Sequence, residues 1–160
     1  MKNSCLIIGV GNILRRDDGI GPAVIERLRA EPISSVDLRD GATDGLTVIE
    51  YLKPYQRAVI IDAVDMQAEP GTIRMFTPEE AIINIKAEAL STHGFGLAEV
   101  LKLMQSLEIK TELKIIGVQP ESIEFGEGLT EKVKVRVEEI AELVKEEIKL
   151  ATKAPRHQEK

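Results

Sequence analysis

Cysteine and tryptophan are scarce in this chain of 160 residues, which contains one Cys and no Trp. A single cysteine, Cys5, excludes an internal disulfide and any metal site built from several cysteines. We interpret Cys5 as a small buried apolar side chain of the first strand, where a thiol is a poor nucleophile.

Basic residues are fewer than acidic ones, with 21 Lys and Arg against 27 Asp and Glu, so the formal net charge is −6 at pH 7. Nucleic-acid binding requires a basic face that neutralises phosphates, and this balance argues against one. The aromatic residues are three Phe and two Tyr, which leaves little surface on which bases could stack. We therefore expect no nucleic-acid partner.

Long hydrophobic runs are missing as well, because no apolar stretch approaches the roughly 18 residues that a bilayer span needs. The apolar run near the N-terminus is short, and Gly9, Gly11 and Asn12 follow it. A signal peptide would continue with more hydrophobic residues and a cleavage site of small residues. We expect a cytoplasmic protein without a membrane partner.

Short apolar runs rich in β-branched residues alternate with amphipathic stretches along the chain. This alternation predicts the α/β class, as a single-domain three-layer sandwich whose mostly parallel sheet of about five strands is flanked by helices. One edge strand can run antiparallel. We expect residues 1–151 to form the one domain and residues 152–160 to form a frayed tail. The predicted strands are 5–10, 36–39, 58–64, 72–76 and 113–118, and the predicted helices are 19–30, 46–52, 96–107 and 130–151, with a helical turn near residue 78.

Glycines and carboxylates lie between the first strand and the first helix, at the functional edge of an open parallel sheet. A dinucleotide fingerprint would need a glycine where Leu14 stands, and Asp17 and Asp18 would repel a pyrophosphate. No P-loop lysine follows. For the two aspartates, helix capping is the structural interpretation, and a ligand-directed role for one of them is the functional interpretation.

Asp62 interrupts an otherwise apolar strand, where a carboxylate is costly unless it is paired or binds a cation. His93 lies in a polar stretch just before a helix, and alone it would more often be structural. Taken together, Asp18, Asp62 and His93 can converge over one edge of the sheet. Two carboxylates and an imidazole suit a borderline divalent metal and leave coordination positions open for a substrate. The zinc-protease His-Glu-x-x-His spacing and the Gly-x-Ser-x-Gly elbow are both missing.

At these residues the chain resembles the endopeptidases that mature the large subunit of nickel-iron hydrogenases. The resemblance rests on blocks that follow one another in the family's order from residue 4 to about residue 130. The blocks are Gly9-Val10-Gly11-Asn12-Ile13-Leu14 with Asp17-Asp18-Gly19-Ile20-Gly21, Asp40-Gly41 with Thr43 and Gly45, Ile61-Asp62-Ala63, His93 with Gly96-Leu97, and Gly117-Val118-Gln119-Pro120-Glu121 with Gly128-Leu129-Thr130.

The resemblance implies a peptidase that cuts a C-terminal extension from the hydrogenase large-subunit precursor after nickel is in place. It implies that Asp18, Asp62 and His93 are both the metal ligands and the catalytic set. The nickel would be supplied by the substrate, with no permanently bound cofactor. Several family members have glutamate where this chain has Asp18, so the metal position could differ by about the length of one methylene.

The loop from Asp40 to Gly45 lies on the expected rim, and we assign Gly41, Thr43 and Gly45 a substrate-contact role because glycine lets a peptide approach closely. A plain turn is the alternative. We expect a monomer. Two other functions stay open at the level of sequence: a nickel-dependent escort that binds the hydrogenase precursor without cutting it, and a zinc-dependent hydrolase of small substrates.

Overall fold

A computed structural model describes residues 4–42, 44–84 and 97–153. Within these residues the chain forms five strands and six α-helices. The strands are β1 (Cys5–Val10), β2 (Val36–Ala42), β3 (Arg57–Ala63), β4 (Ile73–Phe76) and β5 (Glu112–Val118). The helices are α1 (Ile20–Ala30), α2 (Gly45–Leu52), α3 (Pro78–Asn84), α4 (Leu97–Ser106), α5 (Glu131–Lys134) and α6 (Val137–Lys153), and a 3-10 turn (Arg16–Gly19) precedes α1.

The strands form one sheet in the order β2-β1-β3-β5-β4. Strands β1, β2, β3 and β5 run parallel, and the edge strand β4 pairs with β5 in the antiparallel direction. The central strands β1 and β3 are buried along nearly their whole length, as expected of a parallel sheet covered on both faces. The predicted fold class, including the antiparallel edge, is confirmed.

Helices cover both faces of this sheet. The first core cluster joins one face to α2, α3 and α4, and the second joins the other face to α1, α5 and α6. The apolar stripe of α1 consists of Ile20, Val24, Ile25 and Leu28, all fully buried. Pro22 lies in the first turn of α1, where its missing N–H leaves no helical hydrogen bond unmade.

Glycines let α1 lie unusually close to the sheet. A Cβ on Gly21 would come within 2.6 Å of the Ile61 carbonyl oxygen in β3 and of the backbone of Val10 in β1. A Cβ on Gly9 would come within 2.3 Å of the Gly21 carbonyl oxygen. Backbone therefore packs on backbone here, and the start of α1 is fixed against β3 next to Asp62.

Two predicted boundaries are wrong. The predicted loop from Asp40 to Gly45 is in part strand, because β2 continues to Ala42. Gly9 pairs with Asp40 and Val10 with Ala42, so Gly41 is the extra residue of a β-bulge. Helix α2 then begins after Asp44, whose carboxylate caps it by accepting the Leu46 and Thr47 N–H groups.

The predicted helix 130–151 is two helices, α5 and α6. At the break the Arg136 N–H donates to the Val133 carbonyl, three residues back, rather than four. Val133 and Ile140 on either side of the break are both in the core, and Val135 between them is exposed. The helical spacing of the apolar residues did not reveal the break because both helices bury the same stripe.

No helix among the described residues has both the length and the apolar character that crossing a bilayer requires.

Candidate functional site

Two carboxylates, those of Asp18 and Asp62, lie at the carboxyl edge of the parallel sheet and are fully buried. Asp62 is the second-last residue of β3 and pairs with Gly117 of β5. Asp18 lies in the 3-10 turn that follows β1, and this turn contacts β3. Strand-end geometry therefore brings the two predicted carboxylate residues to the same part of the rim, as the sequence indicated.

Asp18 is held by the loop that leaves β1. The Asn12 N–H donates to the Asp18 Oδ2 at 2.8 Å. Gly11 makes this possible, since its φ is +137° and a Cβ would lie 1.9 Å from the Asp18 carbonyl oxygen. Gly11 therefore serves the close packing of two backbone segments and the fixed position of the Asp18 carboxylate. No bound nucleotide is needed to explain it.

Asp17 has a different role from its neighbour. Its Oδ2 accepts hydrogen bonds from the Glu121 N–H at 2.8 Å, the Ser122 N–H at 3.1 Å and the Thr130 hydroxyl at 2.7 Å. Its Oδ1 accepts the Thr130 N–H at 2.7 Å. The capping interpretation is wrong, because Gly19 precedes α1 and provides no side-chain cap. Asp17 instead binds the segment that follows β5.

Backbone hydrogen bonds extend this connection between the 3-10 turn and the segment after β5. The Asp17 N–H donates to the Ser122 carbonyl at 3.0 Å, and the Arg16 N–H donates to the Gly126 carbonyl at 3.2 Å. Arg15 and Gly126 form an isolated β-bridge. The turn that carries Asp18 is therefore built from two distant parts of the chain, residues 11–19 and residues 120–130.

Gln119 organises the rim on the other side of Asp62. Its Oε1 accepts the Met66 N–H at 2.6 Å and the Ala68 N–H at 3.3 Å, and its Nε2 donates to Asp65 at 3.2 Å. The loop after β3 is thus tied to the end of β5. Sequence reasoning did not assign this role to Gln119 or to Asp17. A polar residue directly after a buried strand is the signal that could have pointed to Gln119.

His93 and Thr43 lie outside the described residues, so the third member of the predicted metal set stays a prediction. Within residues 4–42, 44–84 and 97–153, no three His, Cys, Asp or Glu side chains are grouped so as to hold a metal ion. Gly41 is the bulge residue of β2 on the rim, and Gly45 starts α2. A Cβ on Gly45 would lie 2.7 Å from the Val100 side chain, so this glycine has a packing role in addition to any contact with substrate.

Cys5 lies at the amino end of the parallel strands, at the start of β1, whereas Asp62 lies near their carboxyl end. The prediction of a buried side chain is wrong in degree, since Cys5 is only half-buried. Burial nevertheless raises the pKa of its thiol to about 11, with Arg57 opposing and Asp37 adding to the shift. A thiol that stays protonated near neutral pH, far from the carboxylate rim, is unsuited to nucleophilic attack.

Comparison with known proteins matches residues 22–147 of the chain to a family model described as hydrogenase maturation protease. The Hydrogenase 2 maturation protease of Escherichia coli K12 is 34% identical over 143 residues, which is 87% of each chain. The hydrogenase expression/formation protein HoxM of Azotobacter vinelandii is 36% identical over 83% of this chain. The matched region spans 66% of the length of HoxM, so this chain covers just under two thirds of that longer relative.

Solved structures give the same result. The hydrogenase maturating endopeptidase HybD from E. coli superimposes with a TM-score of 0.81 at 31% identity, covering 94% of both chains. The [NiFe] hydrogenase maturation protease HycI from Thermococcus kodakarensis superimposes with a TM-score of 0.72 at 28% identity, covering 91% of this chain and 92% of its own. The chain belongs to the hydrogenase maturation protease family, a family of peptidases.

Proposed function

We propose that this protein is an endopeptidase that removes the C-terminal extension of the nickel-loaded large-subunit precursor of a nickel-iron hydrogenase. In this proposal, nickel held by the precursor is bound by Asp18, Asp62 and His93 and serves as the recognition element. Hydrolysis adds water across one peptide bond and releases the extension with a new amino terminus. We expect no permanently bound cofactor.

One observation supports this assignment more than any other: Asp18 and Asp62 are buried on one rim, next to the contact between the 3-10 turn and β3. Burying two carboxylates close together costs free energy unless cations or hydrogen bonds compensate. A site that binds a divalent cation supplied by the substrate would explain why both carboxylates are buried on this rim.

Neither carboxylate is accessible to solvent in the free chain. A divalent cation bound by them would offset the free-energy cost of burying these carboxylates. A cation supplied by the substrate suits a protease that must distinguish loaded from unloaded precursor, because productive alignment of the scissile bond then depends on a metal that only the loaded precursor carries.

The first experiment incubates the purified protein with large-subunit precursor, with and without nickel, and measures the precursor mass. We expect a mass loss equal to the extension only in the nickel-loaded sample. Asp62→Ala and His93→Ala should abolish cleavage while the thermal transition changes little. Glu146→Ala is the matched control, since Glu146 is an exposed carboxylate of α6, outside the segments that form the rim, and should retain cleavage.

Other outcomes identify the alternatives. A stable complex without mass loss would favour an escort that binds the precursor without cutting it. Stoichiometric zinc in the purified protein, with hydrolysis of small substrates, would favour a resident-metal hydrolase. Cleavage that needs no nickel would remove the metal role assigned to Asp18, Asp62 and His93.

A further inference from the structure

Three large apolar side chains stand exposed beside the turn that carries Asp18. Ile13 is 62% exposed, Leu14 is 54% exposed and Phe125 is 81% exposed. We call these three residues the apolar ridge. Exposed apolar residues scattered singly need no explanation, but a cluster next to a proposed active site marks a surface for binding.

The backbone under the ridge is fixed in place. The Gly126 N–H donates to the Leu14 carbonyl at 2.9 Å, and the Arg15 Nε donates to the Ile123 carbonyl at 3.0 Å. The Arg15 guanidinium lies 5.3 Å from the centre of the Phe125 ring. These contacts hold the two segments of the ridge together and display Phe125 without burying it. A preorganised aromatic side chain loses little conformational entropy when a partner binds.

The ridge continues into a groove with a volume of about 300 Å³. Ile13 belongs to both, and Pro22, Ala23 and Leu129 supply the apolar wall of the groove. Arg16 also lines the groove. Since Ile13 lies against the backbone of Gly19, the residue after Asp18, the ridge and the groove adjoin the turn that carries Asp18.

Two arginines of this surface, Arg15 and Arg16, are not paired with a carboxylate within the described part of the chain. Glu26 and Asp40 also line the groove, and both form salt bridges with Arg29. A partner that carries apolar side chains and carboxylates would complement this surface in both respects.

We propose that the ridge and groove bind the hydrogenase precursor itself, through a segment near the scissile bond that contains apolar side chains and at least one carboxylate. This inference rests on the proposed function, because it takes the precursor as the substrate. In this proposal the ridge contributes affinity for the precursor, and the buried carboxylates bind its nickel. The two roles can therefore be tested by separate substitutions.

The test measures KM and kcat for cleavage of nickel-loaded precursor by Leu14→Gln and Phe125→Ser. Each variant should raise KM about tenfold and leave kcat within about twofold, because exposed anchors contribute binding and not chemistry. Leu107→Gln is the matched control. Leu107 is 56% exposed, close to the value for Leu14. It lies between α4 and the start of β5, at the amino ends of the parallel strands. This control should keep the wild-type KM.

Two results would overturn the proposal. One is an unchanged KM in both ridge variants. The other is a wild-type dimer, seen by sedimentation, that both variants dissociate, because the ridge would then bind a second copy of this chain. Failure of the proposed function looks different, since wild-type protein would then cut no precursor. In that case the Kd of wild-type and variant proteins for precursor, measured by calorimetry, still tests the ridge.

Discussion

Adjacent residues of like charge can have unrelated tasks, and Asp17 and Asp18 are such a pair. Asp17 accepts four hydrogen bonds from the segment after β5, whereas Asp18 accepts the Asn12 N–H and stays on the rim near β3. Asp17 therefore holds the turn that positions Asp18. We consider it a positioning residue that acts through its neighbour.

Replacing Asp17 tests that role. Asp17→Asn keeps the volume but replaces one carboxylate oxygen with an NH2 group that can only donate. Either the Glu121 and Ser122 N–H groups or the Thr130 N–H then lose their acceptor. We expect the free energy of unfolding to fall by at least about 2 kcal/mol, measured by urea denaturation at pH 7. Thr130→Val removes the hydroxyl donor alone and should cost only about 1 kcal/mol. An Asp17→Asn protein as stable as wild type would contradict the assignment.

At the scale of elements, the close contact between α1 and the sheet requires glycine, which has no side chain, at two positions. Gly9 and Gly21 let helix and strand backbones touch, and this contact sets where the 3-10 turn meets β3. A larger residue would separate them and displace the turn that carries Asp18. The contact that positions the site is therefore also one of the most tightly packed in the fold.

Gly21→Ala should destabilise the protein, because the new methyl would lie 2.6 Å from backbone atoms of Val10 and Ile61 that cannot rotate away. We expect a loss of about 1–3 kcal/mol in the free energy of unfolding. Gly128→Ala is the comparison, since nothing lies within 4 Å of a Cβ there and only its φ of +86° is strained. That variant should lose no more than about 1–2 kcal/mol. Chemical denaturation of both proteins and measurement of precursor cleavage would separate packing from strain, and equal cleavage rates would refute the link to the site.

The elements themselves were largely predictable. Apolar periodicity located β1 and the buried stripe of α1, because both signals come from burial on a known face. The bulge at Gly41 and the break between α5 and α6 were not predictable in this way. Each changes the local backbone path without altering which side chains face the core.

At the scale of the whole molecule, the general rule for parallel sheets predicted that Asp18 and Asp62 lie on one rim. That rule applies because Asp18 follows β1 and Asp62 lies at the carboxyl end of the neighbouring strand β3. The role of Asp17 could not be inferred, since its acceptor oxygens bind groups up to 113 residues away in the sequence. No local pattern records such a partner.

The domain boundary is a proposal about the whole chain. We expect a protein ending at Lys153, the last residue of α6, to unfold in one cooperative transition at the wild-type midpoint and to cut precursor at the wild-type rate. A protein ending at Val135 should fail to fold, because it lacks Ile140, Ala141 and Val144 of the core. Two separate transitions in the longer protein would contradict a single domain.

The long separation between Asp17 and Thr130 has a consequence during synthesis. A growing chain exposes Asp17 early, but the groups that satisfy its carboxylate emerge from the ribosome only after β5 and the segment beyond it. The turn bearing Asp18 therefore cannot be completed by a partial chain. The position of Asp18 is therefore set only after all five strands of the described sheet have been made.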